Sequence, residues 1–541
     1  MEKLYRLQNT LIGIVKIFHY EFSWFQGWND VSFHGSDQIA TPNIDALAYS
    51  GVILNQHYGE ALCSPSRGAL LTGKYPIHTG LQHNLIMEPE PWGLPLSEII
   101  MPQYFKKLGY KTHAIGKWHL GFDTHFGFWN GFQDYYTHHV FTSWHLVRMV
   151  GNYSTALFTD EAQRLIERHD KSKPFFLYLS HAAVHSGNYE NPLQAPQEYI
   201  ARFKHIKDPN RRIYAAMVSH LDDSVGRVVE ALKENDMLQD SIVVLLSDNG
   251  APSTGLHVNH GNNWPLKGEK GTPWEGALRT IACVWSPYIM KPHRVSTDLV
   301  YIGDWLPTLY SAAGDLPGFN YNLRHSSYLI DGVDLWNCIR RGAPCSRKHV
   351  LQNIDDITGY EALRLGAFKY VSGKCIHHGN RSTLGKISAT GSHTTATSYN
   401  ATRILKSPIS QALLEENFSL PSWQEVSDLR QAATVRCSPN DVIKSTPCRP
   451  RKEPCLFDIS ADPWLPCFRF FEFPNKMATL LMYLLCIFAR RDIVEYPLHQ
   501  GLNFESSFRV SGFLQRNSVN CTVDNLLSFS LCARDAEERI P

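Results

Sequence analysis

The chain has almost no net charge, because its 52 lysines and arginines are matched by 51 aspartates and glutamates. This balance does not indicate nucleic acid or an anionic membrane surface as a partner. The apolar run at 477–489 is shorter than the roughly 20 residues that a membrane-spanning helix needs, so no membrane span is predicted. The sequence also lacks C-x-x-C pairs, which argues against a structural zinc site, and it shows no internal repeat.

Cysteine is scarce in the first part of the chain. Only Cys63 and Cys283 precede Cys338, and the rest of the 12 cysteines lie between Cys338 and Cys532. Crowding of this kind predicts disulfides and an oxidising compartment. N-x-S/T sequons support the same interpretation and predict a glycoprotein. They begin at Asn152, Asn380, Asn400, Asn417 and Asn520.

The N-terminus makes a poor signal peptide. Residues 11–18 are mostly apolar, but Lys16 interrupts the run, and His19 and Glu21 follow it. No small-residue cleavage site is evident. The cysteines and sequons therefore predict a secretory route that the first residues do not explain.

Strand-like and helix-like patterns alternate in the middle of the chain. Phe175–Ser180 and 242–247 are apolar runs typical of strands buried on both faces. Between them, 211–234 carries apolar side chains at helical spacing, which predicts a long amphipathic helix. A strand–helix–strand succession predicts an α/β fold with a parallel sheet flanked by helices.

Polar residues follow both predicted strands. Residues 181–185 come after the first strand, and Asp248, Asn249 and Gly250 come after the second. Because ligands of open α/β sheets gather at the carboxyl ends of strands, we expect these segments to line a site. A stretch rich in serine, threonine, glycine and histidine over about 372–402 predicts an exposed loop or insertion.

Two motifs carry a more specific signal. Residues 61–73 read Ala-Leu-Cys-Ser-Pro-Ser-Arg-Gly-Ala-Leu-Leu-Thr-Gly, and residues 109–119 read Gly-Tyr-Lys-Thr-His-Ala-Ile-Gly-Lys-Trp-His. They resemble the signatures of the sulfatase family, in which the cysteine of C-x-P-S-R is oxidised to formylglycine. The resemblance covers about 26–463 and is closest to the arylsulfatase B, I and J group. An isolated cysteine more often simply packs in a core, but the ordered residues around Cys63 favour the functional interpretation.

The resemblance implies an alkaline-phosphatase-like α/β sandwich, in which a large, mostly parallel sheet lies between helices and a small C-terminal α+β subdomain follows. We expect the catalytic domain over 26–370. A loop-rich insertion and the C-terminal subdomain are expected over 371–463, with residues 456–459 as the strand that opens the subdomain. Residues 1–25 form an atypical N-terminal segment, and 464–541 form a divergent cysteine-containing tail.

The resemblance also implies a nucleophile and the groups that hold it. The hydrated aldehyde made from Cys63 supplies a hydroxyl as the nucleophile. Arg67, which is always charged, holds this hydrate. Lys117 and His119 hold the hydrate as well and help to eject sulfate. Their alternate positions face the same side in an extended chain.

Two further residues match substrate-side positions of the family. His185 matches the histidine that can protonate the leaving group, and Lys117 and His185 both bind substrate. Lys270 matches the sulfate-binding lysine, with Lys267 as the nearby fallback. A lone histidine or lysine is more often structural or solvated, but the match of these residues to family positions favours a functional role.

Asp248 and Asn249 resemble one half of a calcium site, to which the residue derived from Cys63 also contributes. A hard cation such as Ca²⁺ prefers several oxygen ligands, although Asp-Asn-Gly is by itself also a good turn. The other half of the family's site is an Asp-Asp pair. In this chain the pair falls on Trp24 and Phe25, which offer no ligand oxygen.

Two explanations compete for this departure. Either the chain has lost its metal, or residues 1–25 are an alternative or misassembled start that also removed the signal peptide. We favour the second explanation, because the family pattern resumes abruptly at Gln26. Ca²⁺ binding is expected to be weak because affinity follows the charge of the ligands, unless Glu21 or Asp30 completes the site.

The leading hypothesis is a sulfuric ester hydrolase, an arylsulfatase that acts on sulfated sugars of glycosaminoglycans. The resemblance implies formylglycine and Ca²⁺ as cofactors, a formylglycine-generating enzyme as a partner during maturation, and a lysosomal or secreted protein. A phosphatase of the same superfold would use serine or threonine and two zinc ions, so Cys63 argues against it. The alternative is a metal-deficient pseudo-sulfatase that binds sulfated glycans through Arg67, Lys117 and Lys270.

Overall fold

The computed structural model describes residues 26–86, 93–117, 121–129, 131–142, 145–253, 258–314, 330–373, 399–435, 450–451 and 454–460, and the backbone of 16–22. The strands are β1 Lys16–Phe22, β2 Val52–Leu54, β3 His57–Tyr58, β4 Lys111–Lys117, β5 Thr124–Phe128, β6 Thr137–Thr142, β7 His145–Val150, β8 Phe175–Ser180, β9 Ser241–Ser247, β10 Ala282–Trp285, β11 Arg294–Ser296, β12 Val300–Tyr301, β13 His349–Asp355, β14 Tyr360–Leu365, β15 Phe368–Gly373 and β16 Cys455–Asp458. The α-helices are α1 Pro42–Ser50, α2 Cys63–Thr72, α3 Met101–Lys107, α4 Ser154–Glu167, α5 Gln197–Ile200, α6 Pro209–Glu234, α7 Glu275–Leu278, α8 Trp305–Ala313, α9 Trp336–Arg341, α10 Thr402–Leu405, α11 Pro408–Glu415 and α12 Trp423–Ala433.

A ten-stranded sheet organises the molecule, in the order β11-β2-β10-β9-β1-β8-β4-β5-β6-β7. Its central strands, from β9 to β5, run parallel. At one side β10 is antiparallel to β9, and at the other the β6–β7 hairpin is antiparallel to β5. The carboxyl ends of the parallel strands therefore lie along one edge, as the predicted strand–helix–strand pattern requires.

Alternate residues of the central strands enter two separate cores. Leu177 and Leu179 of β8 pack in the core that contains α4 and α6, whereas Phe176 and Tyr178 pack in the core that contains α3 and α8. A strand that is apolar on both faces needs cover on both sides. The sheet is accordingly sandwiched between helices, and the predicted fold class is confirmed.

The predicted elements agree closely with the observed ones. The first predicted strand is β8 and the second is β9, which starts one residue earlier than expected. The predicted helix is α6, and it begins at Pro209 because the Asp208 side chain caps it by accepting hydrogen bonds from the amides of Asn210 and Arg211.

The N-terminal segment contributes the central strand of the sheet. Phe18 in β1 lies between Leu177 of β8 and Val243 of β9, and Phe22 lies beside Ser247. The residues expected to be atypical thus include a paired strand that ends level with β9. Trp24 and Phe25 lie outside the described residues.

The small C-terminal sheet is assembled from distant parts of the chain, in the order β13-β14-β15-β16. The expected strand at 456–459 is found as β16, but it closes this antiparallel sheet at its edge. The expectation that it opens the subdomain is therefore wrong, because the sheet begins at His349. The expected division after residue 370 falls within β15. Helices α10 to α12 pack into the core formed with α1 and α6.

A buried cluster joins the small sheet to α7 and to β3, which pairs with β12 in a separate two-stranded sheet. Glu275, the first residue of α7, pairs with Lys369 of β15 at 2.9 Å and lies 3.7 Å from Arg364 of β14. The Tyr58 hydroxyl also donates to the Glu275 carboxylate, at 2.7 Å. These side chains are almost completely buried. Removing one charge from such a cluster leaves the opposite charges without compensation.

Glu275→Ala is expected to lower the free energy of unfolding by about 3–5 kcal/mol, the usual cost of breaking a buried ion pair. Chemical denaturation of the purified protein measures this loss. Glu234→Ala, at the exposed end of α6, is the control and should change stability by less than about 0.5 kcal/mol. Equal stabilities for the two variants would show that the Glu275 cluster does not hold the subdomain in place.

The described residues contain a disulfide between Cys338 and Cys345. Cys455 is also disulfide-bonded. Cys63 and Cys283 are free and buried, in line with the predicted split of the cysteines. Among the described residues, no helix has the length and apolar character needed to cross a membrane.

Candidate active site

Those predicted site residues that the structure describes converge at the carboxyl edge of the large sheet. Lys117 is the last residue of β4, and Asp248 directly follows β9. Cys63 is the first residue of α2, which begins after the extended residue Leu62. Segments far apart in sequence therefore meet around the Cys63 side chain, which is only 2% exposed.

The start of α2 is fastened to the end of β9. The Ser66 hydroxyl donates to the Asp248 carbonyl at 2.6 Å and accepts from the Glu60 amide at 2.7 Å. Gly59 is required nearby, because a Cβ at this position would lie 2.3 Å from the Asp248 carbonyl oxygen. These contacts fix the position of Cys63 relative to the strand ends.

Arg67 lies one turn into α2 and is 1% exposed. Its Nη1 donates to Ser180 Oγ at 2.8 Å and to Tyr178 Oη at 3.2 Å, and its Nε lies 3.5 Å from Asp248 Oδ2. The guanidinium thus connects α2 to the ends of β8 and β9. Tyr178 and Ser180 were not among the predicted site residues. Two polar side chains at alternate positions of an otherwise apolar strand were the signal that could have revealed them.

Lys270 is the lysine that faces the cysteine. Its Nζ lies 3.7 Å from Cys63 Sγ, and the next amide, of Gly271, donates to the Ala61 carbonyl at 2.8 Å. The ammonium group of Lys267 instead lies 3.9 Å from the centre of the Trp274 ring. The geometry therefore favours Lys270 over the fallback Lys267.

Lys117 enters the site from β4. Its Nζ donates to the Gly131 carbonyl at 3.3 Å. Gly116 before it has φ of 94°, and a Cβ there would collide with the Ser180 carbonyl oxygen. Burial lowers the pKa of Lys117 to about 7, partly offset by the charge of Cys63. Burial also lowers the pKa of Lys270.

His185 is buried in the loop after β8, with its backbone held from two sides. Tyr135 Oη donates to the carbonyl of His185 at 2.9 Å, and Asn259 Nδ2 donates to the carbonyl of Val184 at 3.0 Å. His185 Nδ1 lies 2.5 Å from the Ser186 carbonyl oxygen. Because a carbonyl can only accept, Nδ1 carries a proton in this arrangement. His119 lies outside the described residues.

Asp248 and Asn249 fit a hard cation. Both are fully buried, and neither the Asp248 carboxylate oxygens nor the Asn249 side-chain amide makes a hydrogen bond within the part of the chain that the structure describes. Arg67 Nε lies 3.5 Å from Asp248 Oδ2 without forming a hydrogen bond. Buried oxygens that accept no hydrogen bond are costly and suit Ca²⁺. The fit extends to this half of the site alone, because the side chains of Trp24 and Phe25 carry no oxygen.

Asp30 has another function in the fold. It pairs with Arg211 at 2.7 Å, and its Oδ2 accepts hydrogen bonds from Tyr214 Oη and from the amides of Gly27 and Asn262. These bonds join the segment after β1 to α6 and to the loop after β9. The expectation that Asp30 could complete the metal site is therefore not supported by its contacts.

The small sheet borders the site through the segment 82–86. Leu85 of this segment packs against Cys63. Asn353 of β13 donates to the Gln82 carbonyl at 2.8 Å. This border of the site could not be predicted, because it depends on a contact between distant parts of the chain.

Comparison with known proteins identifies relatives of the chain. The family model described as "Sulfatase" matches residues 25–315, more than half of the sequence. Arylsulfatase J of Mus musculus is 41% identical over 61% of this chain and 57% of the relative. N-acetylgalactosamine-6-sulfatase of Homo sapiens is 31% identical over 58% of this chain and 64% of the relative. The chain thus spans less than two thirds of the length of these relatives.

Solved structures share the fold. The crystal structure of Ps i-CgsB aligns with a TM-score of 0.59 and 26% identity, covering 77% of this chain and 97% of the other. The same protein in complex with k-i-k-neocarrahexaose aligns with a TM-score of 0.60 and 25% identity, over the same shares of the two chains.

Proposed function

Since the chain belongs to the sulfatase family, we propose that it is a sulfuric ester hydrolase that uses a formylglycine made from Cys63. The observation that carries the proposal is the buried cysteine 3.7 Å from the Lys270 ammonium group, with Arg67 and Lys117 beside it. A sulfate ester is anionic, and its cleavage adds charge to the leaving oxygen. Buried cations around the sulfate oxygens stabilise the negative charge of the reacting group, and such preorganised stabilisation is usually the largest single contribution to catalysis.

Each side chain has a proposed part in the reaction. The aldehyde hydrate at position 63 supplies one hydroxyl for attack on sulfur and a second that expels sulfate. Lys270 and Lys117 hold the sulfate oxygens, and Arg67 holds the hydrate in place. His185 gives a proton to the leaving sugar oxygen. His119 assists the release of sulfate.

Asp248 and Asn249 would hold Ca²⁺, together with the residue derived from Cys63. When bound, the ion would supply additional positive charge to the sulfate oxygens. Because positions 24 and 25 carry no ligand oxygen, we assign no step of the reaction to the cation.

The substrate is proposed to be a sulfated sugar of a glycosaminoglycan. The similarity to N-acetylgalactosamine-6-sulfatase supports a sulfated amino sugar, and the structural relative bound to a neocarrahexaose supports a carbohydrate substrate. Formation of the aldehyde makes a formylglycine-generating enzyme the partner in maturation.

A lysosomal or secreted location is consistent with the surface and the cysteines. The Cys338–Cys345 disulfide indicates an oxidising compartment. The sequon asparagines Asn152, Asn400 and Asn417 are exposed, so they could carry glycans. Asn380 and Asn520 lie outside the described residues.

Sulfate release from sulfated N-acetylgalactosamine and from a chromogenic aryl sulfate tests the proposed function. The protein is expressed through a secretory pathway and assayed with excess Ca²⁺ beside Cys63→Ala. We expect release by the unaltered chain and none by the variant. Equal release by both proteins, or none from a chain that carries the aldehyde, would contradict the proposal.

The pH dependence of turnover should follow Lys117. The pKa of Lys117 is lowered to about 7, chiefly by burial, and the residue holds sulfate only when protonated. Turnover should therefore fall as the pH rises through about 7. Lys117→Arg keeps its charge and should move this decline to higher pH. Identical profiles of kcat/KM against pH for the two proteins would show that another group sets the decline.

A further inference from the structure

Two aromatic side chains extend from His185 toward solvent. The Phe132 ring lies parallel to the His185 imidazole, with ring centres 6.1 Å apart and planes 5° from parallel. The Tyr189 ring meets Phe132 edge to face, with centres 5.4 Å apart, and Tyr189 is 67% exposed. The three rings form a continuous path from the buried histidine to the surface.

This path also borders Lys117. The Lys117 ammonium group donates to the carbonyl of Gly131 at 3.3 Å, and Gly131 directly precedes Phe132. The aromatic pair therefore lies next to two of the residues proposed to act on the sulfate and on the leaving oxygen.

The loops that carry the two rings are fastened together by Asp134. Its Oδ2 accepts hydrogen bonds from Asn188 Nδ2 at 2.5 Å and from Gln194 Nε2 at 2.6 Å. Its Oδ1 accepts from the amides of Tyr136 and Thr137. The aromatic pair is thus presented by a fixed surface, and binding there requires little ordering of the protein.

An exposed aromatic ring beside a polar site is typical of a ligand surface. A pyranose ring has apolar faces of C–H groups that suit contact with an aromatic face, while its hydroxyls remain in water. The sulfated unit must lie beside His185 if this histidine protonates its oxygen. The next unit of the chain can then follow the path outward.

We propose that Phe132 and Tyr189 form a sugar-binding platform, with the sulfated unit against Phe132 and the neighbouring unit across Tyr189. The proposal rests on the proposed function, and it specifies an oligosaccharide, rather than a monosaccharide, as the substrate.

Binding to the Cys63→Ala protein tests the platform without turnover. Calorimetric titrations compare three probes, namely inorganic sulfate, a sulfated N-acetylgalactosamine monosaccharide and a sulfated chondroitin tetrasaccharide. Tyr189→Ala should raise the Kd of the tetrasaccharide about tenfold, the scale of one lost aromatic contact. The Kd values of the two smaller probes should stay within about twofold of their starting values. Tyr189→Phe, which keeps the ring, should bind the tetrasaccharide nearly as well as the parent.

Phe132→Ala should weaken the binding of the monosaccharide and of the tetrasaccharide alike, and should leave the Kd of inorganic sulfate unchanged. Trp423→Ala is the matched control, because Trp423 is 51% exposed and begins α12, and it should change none of the three values. Unchanged tetrasaccharide binding by Tyr189→Ala would overturn the platform. An equal loss of affinity for inorganic sulfate in Tyr189→Ala would also overturn the platform, because it would indicate that the whole site is disturbed. If tetrasaccharide binding depends on Tyr189 but the unaltered chain never releases sulfate, the platform proposal stands and the proposed hydrolase activity is wrong.

Discussion

Replacing Trp24 and Phe25 together by aspartate is expected to tighten Ca²⁺ binding by about 10²-fold or more, since affinity for this ion depends strongly on the number of charged oxygen ligands. Hydrolysis of an aryl sulfate should rise with it, because the bound ion adds charge to the sulfate oxygens. The unaltered chain should bind Ca²⁺ weakly and turn over slowly. Calcium titration alongside hydrolysis of a chromogenic aryl sulfate measures both effects.

Two observations support this expectation. Asp248 and Asn249 are buried and make no side-chain hydrogen bond to the described residues, so one half of the site is present. β1 ends with Phe22 beside Ser247, so the chain leaves β1 level with the residue that precedes Asp248.

A matched control isolates the role of the cation. Adding Asp248→Ala to the double variant should remove the gain in both affinity and turnover. Tight Ca²⁺ binding and fast turnover by the unaltered chain would contradict the expectation. Glu21 would then be the carboxylate to examine, because the contacts of Asp30 already involve Arg211, Tyr214 and two backbone amides.

Lys270→Ala is expected to reduce kcat by about 10²–10³-fold, the cost of removing one preorganised donor to developing charge. Lys117→Ala should have an effect of the same size. The ammonium group of Lys270 lies 3.7 Å from Cys63 Sγ, so its loss removes a cation that faces position 63. Steady-state kinetics with an aryl sulfate gives kcat, and a thermal melt of each variant checks the fold.

Lys267→Ala provides the control for this pair. It lies three residues before Lys270, but its ammonium group is on the Trp274 ring. Its removal should leave kcat within about threefold of the unaltered value, because surface and packing changes away from the reacting groups act mainly on stability. A larger loss of kcat in Lys267→Ala than in Lys270→Ala would show that the sulfate-binding lysine was assigned incorrectly.

Strands and helices of the large sheet could be predicted because their signals are local. The continuous apolar run predicted β8, and helical spacing predicted α6 from residue 211, although the helix begins two residues earlier, at Pro209. The proximity of Cys63 and Lys270, which are distant in sequence, came from motifs rather than from periodicity. Without the C-S-P-S-R motif, Cys63 would have resembled the buried free cysteine Cys283.

Contacts between distant segments could not be predicted in the same way. β16 joins the sheet that begins at His349 through pairing with β15, and nothing near residue 456 specifies that partner. The partners of Arg67 on β8 also depend on how α2 packs across the strand ends. The aromatic pair Phe132 and Tyr189 comes from two loops that Asp134 joins, and neither loop is informative alone.

The chemical state of residue 63 is the most direct test of a formylglycine-dependent sulfatase. Peptide mass spectrometry across residues 58–67 of protein made through a secretory pathway distinguishes the thiol from the aldehyde. We expect Cys63 to be present as formylglycine or its hydrate, and the aldehyde to be absent from a Cys63→Ala preparation. A peptide that carries wholly unmodified cysteine, from a host that converts other sulfatases, would contradict this expectation.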